Sequence, residues 1–223
     1  MPRIARVTAG GIVQHVLNRG NGRTKLFNKP ADYAAFVDLL ADALERVPGM
    51  RLTGFCLMPN HWHLVLWPRE AGDLPTFMRW LSNTHARRFR SLSHSVGHGH
   101  VYQGRYKSFL VQNDAPYLTL LRFVEANPLR AKRVKKAEKW PWSSLATPRS
   151  PDGRPVVSDG PTPKPAGWKD LVNQPTTKDQ TQAIRTSIAR GRPFGDPAWV
   201  TRTAAQRGLA STLRNRGRPP NVG

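Results

Sequence analysis

Two runs of strand-forming residues, RLTGFCLM (51–58) and HWHLVLW (61–67), are separated by only two residues, Pro59 and Asn60. So short a connection cannot carry a crossover, so the runs must pair antiparallel as a hairpin. The second run is an unbroken stretch of β-enriched residues, which favours strand over helix at this length.

The flanking segments extend this sheet. Upstream, IVQHVL (12–17) reads as a strand, followed by the turn-rich, arginine-bearing NRGNGR (18–23), a loop suited to a phosphate. Residues 31–46 place Tyr33, Phe36, Val37, Leu40 and Leu44 on one helical stripe, as in a packing helix. Residues 74–90 set Phe77, Trp80, Leu81, Thr84 and Phe89 near one face, with Arg79, Arg87, Arg88 and Arg90 supplying positive charge. The run VYQGRYKSFLVQ (101–112) reads as a further strand. A helix then starts with Asp114 as N-cap and Pro116 in the first turn, and ends at Asn127-Pro128. Strand, helix, hairpin, helix, strand, helix predicts an α+β fold, a small antiparallel sheet packed with helices. Residues 1–146 form this domain. Residues 147–176, including the Pro/Gly/Ser-rich 150–164, are a linker or an irregular arm, and 177–223 a basic extension with helices at 177–190 and 196–208.

Lys and Arg number 35 against 14 Asp and Glu, a net charge of +21. A field of that sign attracts a polyanion, most commonly nucleic acid. The single cysteine, Cys56, excludes an intramolecular disulfide or a four-cysteine zinc site and fits a reducing compartment. The N-terminal residues lack the apolar core of a signal peptide, and no run approaches the roughly 18 apolar residues of a membrane span. The chain is expected to be soluble, cytoplasmic and nucleoid-associated, with no membrane partner.

Alternate residues of a strand share a face, so His61 and His63 project together with Cα atoms roughly 6.5–7 Å apart, letting two imidazoles converge on one cation. In the last helix of the domain, Phe123 and Asn127 are four residues apart and share a stripe. The Asn127 amide oxygen either completes a mixed nitrogen/oxygen site suited to Mg2+ or Mn2+, or only ends the helix before Pro128.

The segments HVLNRGNGR, CLMPNHWHLVL, YQGRYKSFLV, ANPLRA and WPWSS, in this order, resemble the REP-associated branch of the single-tyrosine, His-hydrophobic-His transposases. The similarity covers most of residues 10–146, and RGRPFGDPAWV with LASTLRNRGRP resembles the tails of some members. The resemblance implies a ferredoxin-like sheet on which both histidines hold a divalent cation at a scissile phosphate of single-stranded or hairpin DNA of the repetitive extragenic palindrome kind. It also implies a helix tyrosine that attacks phosphorus, giving a 5′-phosphotyrosine and a free 3′-hydroxyl, in a protein that is a monomer or a homodimer.

The nucleophile of the family stands four residues before the Asn of the helix-ending Asn-Pro, and here that position is Phe123. A phenyl ring has no hydroxyl, so this chain is expected to be inactive in cleavage. Two origins fit: a deliberate Tyr→Phe change, or natural loss of catalysis. Tyr117, six residues earlier, lies on another side of the helix and does not replace it. Expected DNA contacts are Arg19, Arg23, Arg105, Lys107 and Arg130, with Tyr102 or Trp62 for base stacking and His15 either at the site or packed in the strand. The tetrapeptide RGRP, at 190–193 and 216–219, resembles the core of minor-groove hooks, which makes Arg216 and Arg218 further candidates. Two rival functions remain: a non-catalytic, domesticated DNA-binding regulator, and a zinc hydrolase built on Cys56, His61 and His63.

Overall fold

The computed structural model describes residues 9–92, 99–147, 149–154 and 156–214. Strands β2 (Met50–Met58) and β3 (His61–Pro68) form the hairpin across Pro59 and Asn60, with Met58 opposite His61. Strand β1 (Val13–Arg19) lies antiparallel against β3 on one side and β4 (Lys107–Val111) on the other, giving the order β2-β3-β1-β4. Helix α1 (Pro30–Arg46) connects β1 to β2, and α2 (Asp73–Leu92) connects β3 to β4. This βαββαβ order with the first and third strands central is the ferredoxin-like arrangement.

Alternation along β3 divides the core in two. Trp62, Leu64 and Leu66 point to one face, where they pack with Val16, Phe55, Phe36, Leu40, Phe77 and Leu81 under α1 and α2. His61, His63 and Val65 point to the other face, which is covered by α3 (Ala115–Glu125). A bulge at Thr53 shifts the register between Leu52 and Gly54, so Gly54 lies beneath α3. A Cβ at Gly54 would overlap the Leu121 side chain, so the helix sits this close only over a glycine.

The strand expected over 101–112 is shorter, because only Lys107–Val111 pair in the sheet. Tyr102 makes an isolated bridge to Gly20, and residues 103–105 turn beside it. Asp114 takes the N-cap position of α3, but its side chain does not cap the helix. Its φ is 64° and its backbone N–H donates to Thr162 Oγ1 at 2.9 Å. The helix expected to run to Asn127-Pro128 stops at Glu125, and Asn127–Arg130 form a separate turn, α4.

Residues beyond 146 pack on this domain. Val156 joins the core beneath α1, and Arg154 reaches Asp42 and Glu45 of α1, each at 3.0 Å. Helix α5 (Trp168–Asn173) inserts Trp168 and Val172 beside α3, and α6 (Lys178–Arg190) adds Ile184. The α3–arm junction centres on Glu125, which is fully buried. Its carboxylate accepts from Ser144 Oγ at 2.8 Å and Trp168 Nε1 at 2.6 Å, with Lys164 Nζ at 3.2 Å. Phe194 bridges Val111 in parallel and covers the β4 edge, and α7 (Pro197–Gln206) packs Ala204 on Leu110. The first RGRP is therefore not an extended hook: Arg190 ends α6, and Gly191 closes it in the left-handed conformation. Arg216, Arg218 and the second RGRP lie outside the described residues.

Candidate active site and nucleic-acid interface

The β1–β3 register sets Arg19 opposite His61 and Leu17 opposite His63, and Cys56 of β2 faces His63 from the other side. The two imidazoles face α3 with ring centres 5.1 Å apart at 83°. Each ring uses Nδ1 for a bond within the protein. His61 Nδ1 lies 2.7 Å from the Asn60 amide oxygen, and His63 Nδ1 lies 2.9 Å from His15 Nε2. Because an amide oxygen only accepts, His61 carries its proton on Nδ1 and has a bare Nε2.

Burial lowers the His61 pKa to about 4, with the Arg19 charge adding to the effect. Burial, followed by His15, His61, Arg130 and Arg19, drives that of His63 well below its ordinary value. Both rings are therefore neutral at physiological pH, the form that binds metal. With metal–nitrogen bonds of roughly 2.0–2.1 Å, two imidazoles on one ion must lie close together, and the 5.1 Å between these ring centres meets that requirement. Among the described residues no group of three or more His, Cys, Asp or Glu is placed to hold a metal. The remaining ligands of an ion here would be oxygens from outside this residue set. That removes the Cys56-His61-His63 zinc site, and Cys56 is fully buried with its thiol pKa pushed up by burial.

Phe123 sits above the pair. Its ring meets His63 edge-on at a centre distance of 6.4 Å, and the Arg130 guanidinium lies over its face at 3.8 Å. These contacts leave Phe123 only 6% exposed. Burial, with Arg185 adding, lowers the Arg130 pKa to about 10, so it remains charged at neutral pH, and its Nη1 is buried without a hydrogen-bond partner. Asn127 is half-buried at the start of α4. Tyr117 is fully buried against Gly160 of the arm, in a direction that serves packing.

A cleft opens from the histidines along β1 and the 103–107 segment. Leu17, Asn18 and Gln103 line it with three cations, Arg19, Arg105 and Lys107, and Ile188 of α6 closes one side. Among the described residues no carboxylate lines it. Through Asn18, Gln103, Gly104 and Arg105 it continues into a second groove, where α2 contributes Arg79, Asn83 and Arg90 and the facing loop His100. Arg23 is exposed on the loop after β1. Trp62 is fully buried on the opposite face and belongs to the core, not to a base-stacking platform. Tyr102, 8% exposed, is among the residues that line the second groove, and its hydroxyl is bonded to Trp62 Nε1 at 3.2 Å and His85 Nδ1 at 2.7 Å. Sequence reasoning missed Gln103, Asn18 and Ile188; the apolar stripe of 177–190 was the available sign that α6 docks.

The ferredoxin-like sheet thus carries two neutral imidazoles under a helix, opening into a cationic cleft. The chain belongs to the family described as Transposase IS200 like, whose model matches residues 9–127. A REP-associated tyrosine transposase of Escherichia coli (strain K12) is 22% identical over 139 residues, which span 61% of this chain and 77% of that protein. A solved structure of a REP-associated tyrosine transposase bound to a REP hairpin matches with a TM-score of 0.54 and 18% identity, over 72% of this chain and 92% of that one. That structural match bears out the α+β sheet-and-helix architecture. Among the described residues, no helix is long and apolar enough to cross a membrane.

Proposed function

We propose that this protein binds single-stranded or hairpin DNA as a REP-associated tyrosine transposase does, and that it holds a scissile phosphate between the His61–His63 pair and the helix position of Phe123 without cleaving it. The juxtaposition of His63 and Phe123, 6.4 Å between ring centres, carries the proposal. It supports the reading because the residue at which the resemblance puts the nucleophile lies against one of the two imidazoles.

His61 and His63 would hold Mg2+ or Mn2+, which when bound supplies Lewis-acid stabilisation of the phosphoryl oxygens. Arg19, Arg105 and Lys107 hold the strand by its phosphates, and the groove toward Arg79 and Arg90 carries its continuation. Arg130 Nη1 is a desolvated donor without an acceptor, and a phosphate oxygen beside Phe123 would provide one. Asn127 would orient the α3–α4 junction or contribute its amide oxygen to the site. Arg23, Arg216 and Arg218 act as peripheral phosphate contacts, and the chain works as a monomer or homodimer in the cytoplasm.

Phe123→Tyr tests this directly. The new phenol oxygen would bond to phosphorus as the P–O3′ bond breaks, with its proton passing to the departing 3′-oxygen. Incubation with hairpin oligonucleotides and Mn2+ is expected to give a denaturation-resistant protein–DNA adduct and a free 3′-hydroxyl end, both absent in the Phe123 protein. Phe123 itself favours a second function, a binding-only regulator. A Phe123→Tyr protein that binds hairpins and Mn2+ but forms no adduct would establish that alternative.

A further inference from the structure

His15 lies at the centre of β1, fully buried, directly opposite Val65 and diagonal to His63 across the β1–β3 ladder. Its ring stacks on that of His63, with centres 5.1 Å apart at 24°, and Phe109 packs on it at 4.9 Å. Only one proton can lie between His15 Nε2 and His63 Nδ1, which are 2.9 Å apart. If His15 donates it, His63 in its neutral form carries its own proton on Nε2 and has no lone pair there. If His63 donates it, Nε2 of His63 is bare and can ligate. The second arrangement places the remaining His15 proton on Nδ1, an atom that is buried and has no hydrogen-bond partner among the described residues.

We infer that His15 is a positioning residue for the cation site: its Nε2 accepts the His63 Nδ1 proton, and that bond fixes both the tautomer and the ring direction that leave His63 Nε2 bare. The inference rests on the ligand role proposed for His61 and His63 and adds to it a third histidine that never touches the ion. A partner that orients a ligand in this way typically contributes about 10–100-fold to metal affinity.

The test compares Mn2+ affinity, measured by titration calorimetry, in the full-length protein and in His15→Phe and His15→Gln. Phe fills the space without an acceptor, whereas a Gln amide reaches the place of Nε2 with an oxygen that can accept. Expected is about a 10–100-fold loss for His15→Phe and substantial recovery in His15→Gln. Equal affinity in His15→Phe and the parent protein would overturn the inference while sparing the ligands. No Mn2+ binding by the parent protein would overturn both, and so separates the two failures. A readout independent of any variant is the 15N spectrum of the parent protein's imidazoles with Mg2+: a proton on His63 Nδ1 supports the role of His15, and a bare His63 Nδ1 in the loaded protein refutes it.

Discussion

The two faces of the sheet use the same strands for opposite purposes. Under α1 and α2, Val16, Trp62, Leu64 and Leu66 are fully buried in the apolar core, with the buried Gln14 and Asn18 of β1 opposite Leu66 and Trp62. Under α3, the alternate residues of those strands are His15, Arg19, His61 and His63, with apolar Val13, Val65, Phe109 and Val111 toward the far end. The comparison shows how one strand of eight residues supplies both a rigid base and a polar site: period-2 alternation sends every second side chain to the site, while the intervening ones anchor the strand that carries it.

Mutating neighbours on opposite faces should separate stability from function. Trp62→Ala removes the largest fully buried side chain of the α1/α2 face and is expected to cost about 3–5 kcal/mol in urea unfolding. His61→Ala, one residue away, is expected to change stability by less than about 1 kcal/mol while removing Mn2+ binding. Similar unfolding losses in both would break the division of labour.

The α3 face has its own structural anchor in Glu125. Glu125→Ala would strand the donors of Ser144 and Trp168 and is expected to cost about 2–4 kcal/mol. Because that anchor also seats α3, hairpin binding should weaken as well. A variant of unchanged stability would show that the arm does not brace the site.

Acidification probes the α1/α2 side, where burial lowers the His85 pKa from 6.5 to about 4. The unfolded chain takes up this proton first as pH falls. The stability His85 contributes is therefore fully present above about pH 6.5 and is lost as pH falls through about 4, by roughly 3 kcal/mol or less. Burial lowers His15 to about 3, which acts with the same sign. Unfolding midpoints at pH 7.5 and 4.5 should differ less in His85→Gln than in the parent protein, and an equal difference would remove His85 from the explanation.

Much of this fold was legible because its signals are local. The two-residue Pro59-Asn60 connection required the hairpin, and the apolar stripes of α1 and α2 marked helices that bury one side. What failed depended on distant partners. Asp114 has the chemistry of an N-cap, but Thr162, 48 residues away, holds its backbone in another conformation. Trp62 has the chemistry of a stacking platform, but its strand parity and its hydrogen bond to Tyr102 place it in the interior. At the site, the spacing of His61 and His63 was readable, whereas the pairing of His15 with His63 depends on sheet register. The Ile188 wall depends on a helix returning from the C-terminal extension.

The most direct measurement of the central claim is pulsed electron paramagnetic resonance on the Phe123 protein loaded with Mn2+ and a hairpin oligonucleotide. Coupling of one Mn2+ to two histidine nitrogens, lost in His61→Ala and His63→Ala, together with a 31P coupling from the DNA, is the expected result. A hairpin complex whose Mn2+ couples to phosphorus but to neither histidine would contradict the claim that the imidazole pair seats the cation at the DNA phosphate.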